Sequence, residues 1–233
     1  MELTIAARFK GPPDSGHGGY VAGLVAGLLD GPVRVRLRRP PPLGRGLAVR
    51  REGEGVTLVD GDEVIATGAP ATVEVTLPDP VGFGEAEAGA REYPGFQGHV
   101  FPECFGCGPD RAAGDGLRIF PGPVAGRALV AAPWIPDRSL TGDRGGVRPE
   151  FLWAALDCPS GWAPIVADGG PPSVLGELAA RVVSPVRVGE HCVVLGWALG
   201  GEGRKSFACS AILGGDGAVR AVARATWIAI ARR

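Results

Sequence analysis

Three short stretches hold the residue types that chemistry needs. His17-Gly18-Gly19-Tyr20 opens an apolar run, and Cys104-Phe105-Gly106-Cys107 is a CxxC pair. Asp157 and Glu150 lie seven residues apart in RPEFLWAALDCPSGW, Arg148 to Trp162. Seven residues is close to two helical turns, so on a helix both acids share a side with Trp153 and Ala154. Phe151 to Leu156 leaves that helix almost no polar face, which predicts a partly buried Asp157, and buried acids are enriched at functional sites. The glycines after His17 suit the first turn of a helix, where N–H groups are orphaned and carry the positive end of the dipole. Without side chains they let a substrate carbonyl approach those amides. A carboxylate opposite such donors can serve as general base for water or as nucleophile.

The cysteines read differently. Five is an odd number, and no basic, apolar and small-residue order marks an export signal, so reduced thiols in a cytoplasm are expected. A structural zinc site wants a second ligand pair at similar spacing, and Cys158, Cys192 and Cys209 do not supply one. The CxxC pair is therefore read as packed loop thiols, with no metal and no cofactor. A net charge of -1 argues against nucleic acid or an anionic membrane as partner. The longest apolar run, Tyr20 to Leu29, falls short of the ~20 residues of a membrane span.

The elements that must position these groups follow from period and punctuation. A short strand is expected over Leu3 to Phe9, then a helix from Gly18 closed by Asp30-Gly31, whose Gly23 and Gly27 suit strands crossing closely. Val33, Val35 and Leu37 alternate with Arg34, Arg36 and Arg38, placing the arginines on the outer face of a sheet. Strands follow over Leu47 to Glu52, Val56 to Val59, Val64 to Thr67 and Thr72 to Leu77. Pro78 to Gly98 has no period and reads as a linker. Beyond it come strands at Leu117 to Phe120 and Ala128 to Ala132, then the loop PWIPDRSLTGDRGG and the helix at Arg148 to Trp162. The last strands are Gly176 to Ser184, Cys192 to Leu199, Lys205 to Leu213 and Val219 to Ile230. The halves overlay: Gly18 to Ala26 on Pro149 to Asp157, Pro40 to Val49 on Pro185 to Val194, and Ala71-Thr72 on Ala225-Thr226. That order, a long apolar helix and then antiparallel strands, reads as an internal duplication, residues 1–95 and 96–233.

One helix per half is too few to layer over a sheet from outside, whereas a sheet curled around one apolar helix satisfies the count. With His17-Gly18-Gly19-Tyr20, the CFGCGP run at 104 to 109 with Gly116-Leu117, and Ala-Ala-Leu-Asp at 154 to 157, the chain resembles the double-hotdog acyl-CoA thioesterases. The resemblance implies an α+β fold of two tandem hotdog units, each an antiparallel sheet wrapped around one helix, paired as an intrachain pseudo-dimer. It also implies an enzyme cleaving an acyl-CoA or acyl-carrier-protein thioester, with further homo-oligomerisation optional. Oxyanion donors would come from Gly18 and Gly19 and the acid from Asp157 across the pair, with His17 beside the thioester sulfur. Tyr20, Trp153 and Glu150 would contact substrate. The converse site pairs Pro149 and Glu150 with Ala26; proline lacks an amide hydrogen and alanine cannot act as base, so one working site per chain is expected.

This sequence also departs from the resemblance. Relatives that carry the second-helix Asp use a Thr and a Gln on later strands; here the matching strands offer Glu177 and Thr226, and no Gln follows Gln97. Two other readings follow. A dehydratase or isomerase would pair His17 or His99 with Asp157, although the D-x4-H spacing is absent because Trp162 stands at that place. A non-catalytic acyl-thioester-binding protein would need only the fold.

Overall fold

The computed structural model describes residues 1–142 and 145–230. Its first half holds β1 (Glu2–Thr4), α1 (Gly18–Ala26), β2 (Val33–Leu37), β3 (Gly46–Glu52), β4 (Gly55–Asp60) and β5 (Glu63–Pro70). Two short helices follow, α2 (Phe83–Arg91) and α3 (Gly95–Gly98). The remainder is β6 (Gly122–Pro123), β7 (Val130–Trp134), α4 (Pro149–Asp168), β8 (Ser173–Val182), β9 (Cys192–Glu202), β10 (Lys205–Leu213) and β11 (Val219–Ala229). All strands join one 11-stranded sheet in the order β1-β3-β4-β5-β2-β8-β11-β10-β9-β7-β6.

The seam is the antiparallel pair β2 and β8, with Val35 opposite Leu178 and Arg36 opposite Glu177. Outward from it the strands run β2-β5-β4-β3 on one side and β8-β11-β10-β9 on the other. The alternation in β2 turns Val33 and Val35 inward and leaves Arg34 and Arg36 exposed, as the period predicts. Arg36 meets the Glu177 carboxylate on that outer face. On the inner face α1 and α4 pack against each other and against the strands, and their side chains fill one core.

Both helices lack a polar side because both lie between the sheet and one another. In α4 every residue from Phe151 to Gly161 is buried. The helix runs six residues past the expected end at Trp162, through Pro159 and Pro164, to a left-handed Gly169 at its C-cap. Each internal proline removes one backbone bond, but burial on all sides holds the helix through them.

Several expectations need correction. The stretch read as a linker is partly helical: α2 seats Ala86 with Val81 against Leu129, Ala131 and Leu195 of the second half. Its buried positions are small (Ala86 and Gly89), so no apolar period shows. Thr72 to Leu77 forms no strand, yet Val73 and Val75 still pack on Ala211 and Val222. Leu117 to Phe120 is also irregular, with Arg118 at a left-handed φ of 52°. The strand expected over Leu3 to Phe9 stops at Thr4 and gives way to a 3-10 turn at Ala7–Phe9. Ala71-Thr72 lies beyond the end of β5 while Ala225-Thr226 sits inside β11, so that overlay does not hold. Asp143 and Arg144, within the loop before α4, lie outside the described residues.

Of the glycines in the first helix, Gly23 serves a neighbour other than the one expected, and Gly27 serves none. A Cβ on Gly23 would stand 2.5 Å from Glu150 Cα and 2.9 Å from Trp153 Cβ, so α4 rather than a strand requires it. Gly27 is the C-cap at φ -62°, with nothing nearer than 3.5 Å to such a Cβ. Gly23→Ala is therefore expected to destabilise the protein by about 1–3 kcal/mol. Gly27→Ala is expected to be neutral or to gain up to about 1 kcal/mol. Urea midpoints of the two variants check the contrast.

Candidate active site between the two central helices

The entrance to α1 is fixed by backbone bonds. Gly16 N–H donates to Pro41 O at 2.8 Å and His17 N–H to Phe9 O at 2.7 Å. His17 is the N-cap of α1: its Nδ1 accepts from Tyr20 N–H at 3.2 Å. With that lone pair engaged, the neutral ring carries its proton on Nε2. Nε2 faces two groups of α4, Asp157 Oδ2 at 3.4 Å and Cys158 Sγ at 3.3 Å.

Asp157 is 2 % exposed. Its Oδ2 accepts from Gly19 N–H at 2.6 Å, and a Cβ on Gly19 would fall 2.5 Å from Asp157 Cβ and 2.6 Å from Trp153 O. The amide expected to receive a substrate oxygen is thus already taken by the carboxylate. Gly18 N–H, one residue earlier, has no partner among the described residues, and Gly18 lines the adjoining cavity. Asp157 Oδ1 is buried and accepts no hydrogen bond among the described residues. Burial pushes the Asp157 carboxyl up to about 6, against the pull of His17 and of Gly19 N–H. Burial also lowers the proton affinity of His17, but Asp157 and the Cys104 sulfur together outweigh it and the net shift is upward.

The cavity holds about 390 Å³ and is walled by His17, Gly18, Asp157, Leu175, Trp162 and Trp227, among others. Trp227 is positioned by Nε1–H donating to Ser160 Oγ at 3.0 Å, and Ser160 Oγ–H donates to Asp157 O at 2.6 Å. Arg38 and Arg39 stand exposed at its mouth. Sequence reasoning missed Trp227 and Ser160 because their link to Asp157 exists only in the fold.

Of the residues singled out from the sequence, His17, Gly18, Gly19 and Asp157 come together. Tyr20, Trp153 and Glu150 lie off the cavity wall. Tyr20 stacks on Phe9 at 4.1 Å and lies near Phe151 and Phe105, and burial pushes its hydroxyl up to about 12. Trp153 is core, and Glu150 pairs with Arg148 Nε at 3.2 Å. Glu177 and Thr226 sit opposite each other in β8 and β11, also off the cavity wall.

The spacing that argued against a zinc site does not show that Cys158 joins the CxxC pair in three dimensions. Cys104 Sγ lies 3.9 Å from Cys158 Sγ and 3.8 Å from Cys107 Sγ, and all three line the cavity. His99 Nε2 lies 3.2 Å from Cys107 Sγ, and its Nδ1 accepts from Phe101 N–H at 2.9 Å. His17 Nε2, Cys104 Sγ and Cys158 Sγ fall within 4.8 Å of one another, a spacing a soft cation could bridge. Yet each imidazole has Nδ1 occupied by a backbone N–H, so the nitrogen facing sulfur carries a proton and acts as donor, not as ligand.

No family model and no curated protein matches the chain. Among solved structures, a conserved protein of unknown function with a hot dog fold from Alicyclobacillus acidocaldarius aligns with TM-score 0.62 and 12% identity, over 100% of this chain and 93% of that one. The chain has the hotdog fold. Shorter alignments reach a thioesterase superfamily protein (TM-score 0.49, 21% identity, 55% of this chain) and zebrafish thioesterase superfamily member 2 (TM-score 0.44, 18% identity, 50% of this chain and 86% of that one). The chain spans 61% of the length of the former.

Within this hotdog fold, a carboxyl that binds protons more tightly folded than unfolded stabilises the protein most below the unfolded value near 4. That contribution is lost as pH rises through about 6. Asp157→Asn keeps an acceptor for Gly19 N–H without the buried charge. It should match wild type near pH 4 and exceed it above pH 7 by up to about 3 kcal/mol. Urea melts at the two pH values measure this.

Proposed function

We propose that the protein hydrolyses an acyl thioester, carried on CoA or on an acyl carrier protein, at one site between two hotdog units spanning residues 1–95 and 96–233. The strand order repeated outward from the β2–β8 seam supports reading the chain as a duplicated unit. The observation that carries the functional reading is Asp157: a buried carboxyl on a cavity wall, one oxygen fixed by Gly19 N–H and the other unpartnered.

In this reading, Oδ1 accepts a hydrogen bond from a water and removes its proton as the water attacks the thioester carbonyl. The developing oxyanion takes the hydrogen bond of Gly18 N–H at the positive end of α1. Collapse breaks the C–S bond, and the leaving thiolate recovers the proton held by Asp157. His17 is a positioning residue, its imidazole 3.4 Å from Oδ2 while its Nε2–H is directed at Cys158 Sγ. Arg38 and Arg39 at the mouth suit the phosphates of a CoA-type carrier. A dehydratase needs His17 as a base, and the occupied Nδ1 leaves it a donor. Glu177 is turned to Arg36 on the outer face, away from the cavity, which favours simple thioester binding as the second reading.

No helix among the described residues is long and apolar enough to cross a membrane. Five free thiols support a reducing, cytoplasmic location.

Thiol release from a panel of acyl-CoAs is the test. Asp157→Asn should lower kcat by about a hundredfold or more at pH 7.5. Wild-type kcat/KM should fall as pH drops below about 6, where Asp157 protonates. Release at the background rate by both proteins, with tight binding of the ester, would establish the binding reading instead. Arg38→Ala should raise KM several-fold at low salt, with the difference shrinking as ionic strength rises.

A further inference from the structure

The sulfur cluster is not used by the hydrolysis described above, yet it faces the same cavity. Its hydrogen-bond directions can be worked out from the two histidines. His17 Nε2–H points at Cys158 Sγ at 3.3 Å, and His99 Nε2–H points at Cys107 Sγ at 3.2 Å. Each of those sulfurs thus receives a proton donor on one side and turns its own S–H toward the third sulfur, Cys104, at 3.9 and 3.8 Å. Cys104 is the common acceptor, the arrangement that stabilises a thiolate. Those same bonds from Cys107 and Cys158 hold the Cys104 thiol well below its ordinary range. The backbone is shaped to close this cluster. A Cβ on Gly106 would collide with Cys158 Sγ and stand 2.7 Å from His17 Nε2, so only glycine lets the loop carry Cys104 and Cys107 onto α4.

We propose that Cys104 is a nucleophile that accepts the acyl group of the bound thioester by thiol–thioester exchange. This rests on the acyl-thioester reading of the cavity. The Cys104 thiolate sulfur bonds to the carbonyl carbon, the C–S bond to the carrier breaks, and the carrier leaves as its thiolate. The product is an acyl-Cys104 thioester, in balance with the starting ester and needing no external oxidant or cofactor. Water activated by Asp157 then releases the acid and restores the thiolate.

The experiment uses Asp157→Asn, in which the acyl group should accumulate. The full-length variant is mixed with butyryl-CoA, quenched in acid and weighed intact, and the adduct is mapped by peptide mass spectrometry. The expected result is close to one hydroxylamine-labile butyryl group per chain on Cys104, as for a trapped covalent intermediate. It should be absent from Asp157→Asn with Cys104→Ser and retained with Cys209→Ser. Circular dichroism confirms that the Cys104 variant folds, and Cys104→Ala is the second variant if serine does not. Thiol release by wild type with no adduct in Asp157→Asn would overturn the Cys104 assignment and leave the hydrolase reading standing. An adduct on Cys104 with no turnover by wild type would sustain the assignment and remove the hydrolase reading. An adduct mapped to another residue, or one tightly bound zinc per chain lost on Cys104→Ser, would overturn it as well.

Discussion

The structure depends on two helices approaching without side chains between them. At Gly19 and Gly23 the backbone of α1 lies against α4, and a methyl group at either position would overlap Asp157, Trp153 or Glu150. This contact places the Gly19 N–H 2.6 Å from the Asp157 carboxylate. It also sets the distance across which the two halves of the sheet must curl, because β2 and β8 meet over the same pair of helices. A wider crossing would separate the carboxylate from its amide and open the core at once.

The carboxylate itself is maintained at a cost. An acid 2 % exposed, with one oxygen accepting no hydrogen bond from the described residues, destabilises the fold in its charged form. The helix N-terminus offsets part of that cost through Gly19 N–H and the dipole of α1, and the His17 imidazole stands 3.4 Å from Oδ2. An apolar residue would avoid that desolvation cost, so stability does not account for the acid. The same logic applies to the cysteines. Two histidines locked as donors by backbone N–H groups are an elaborate environment for thiols whose only task is packing.

The arginines show how one strand can serve two surfaces. Within β2 the alternation sends Arg34 and Arg36 to the outer face, where Glu177 of β8 meets them across the seam. Just beyond the strand, Arg38 and Arg39 are released from that alternation and stand at the cavity mouth. Sequence period alone grouped Arg38 with Arg34 and Arg36.

The sequence by itself determined the parts governed by local rules. The apolar runs named α1 and α4, alternation placed the arginines of β2, and the glycines after His17 marked a helix entrance. The rare acid on an apolar helix singled out Asp157, and the repeated order of elements pointed to a helix-wrapping sheet. What only the tertiary structure decided were contacts between residues far apart in the chain. Cys104 and Cys158 are 3.9 Å apart across 54 positions, which no spacing rule could anticipate. The direction of the Gly19 amide toward Asp157, rather than toward open space, depended on the crossing of two helices. The course of α2 and of Thr72 to Leu77 was equally hidden, because their anchors are small residues or single valines packed on a surface built by the other half. Period and propensity describe one segment against an averaged environment, whereas a site is defined by which segments meet.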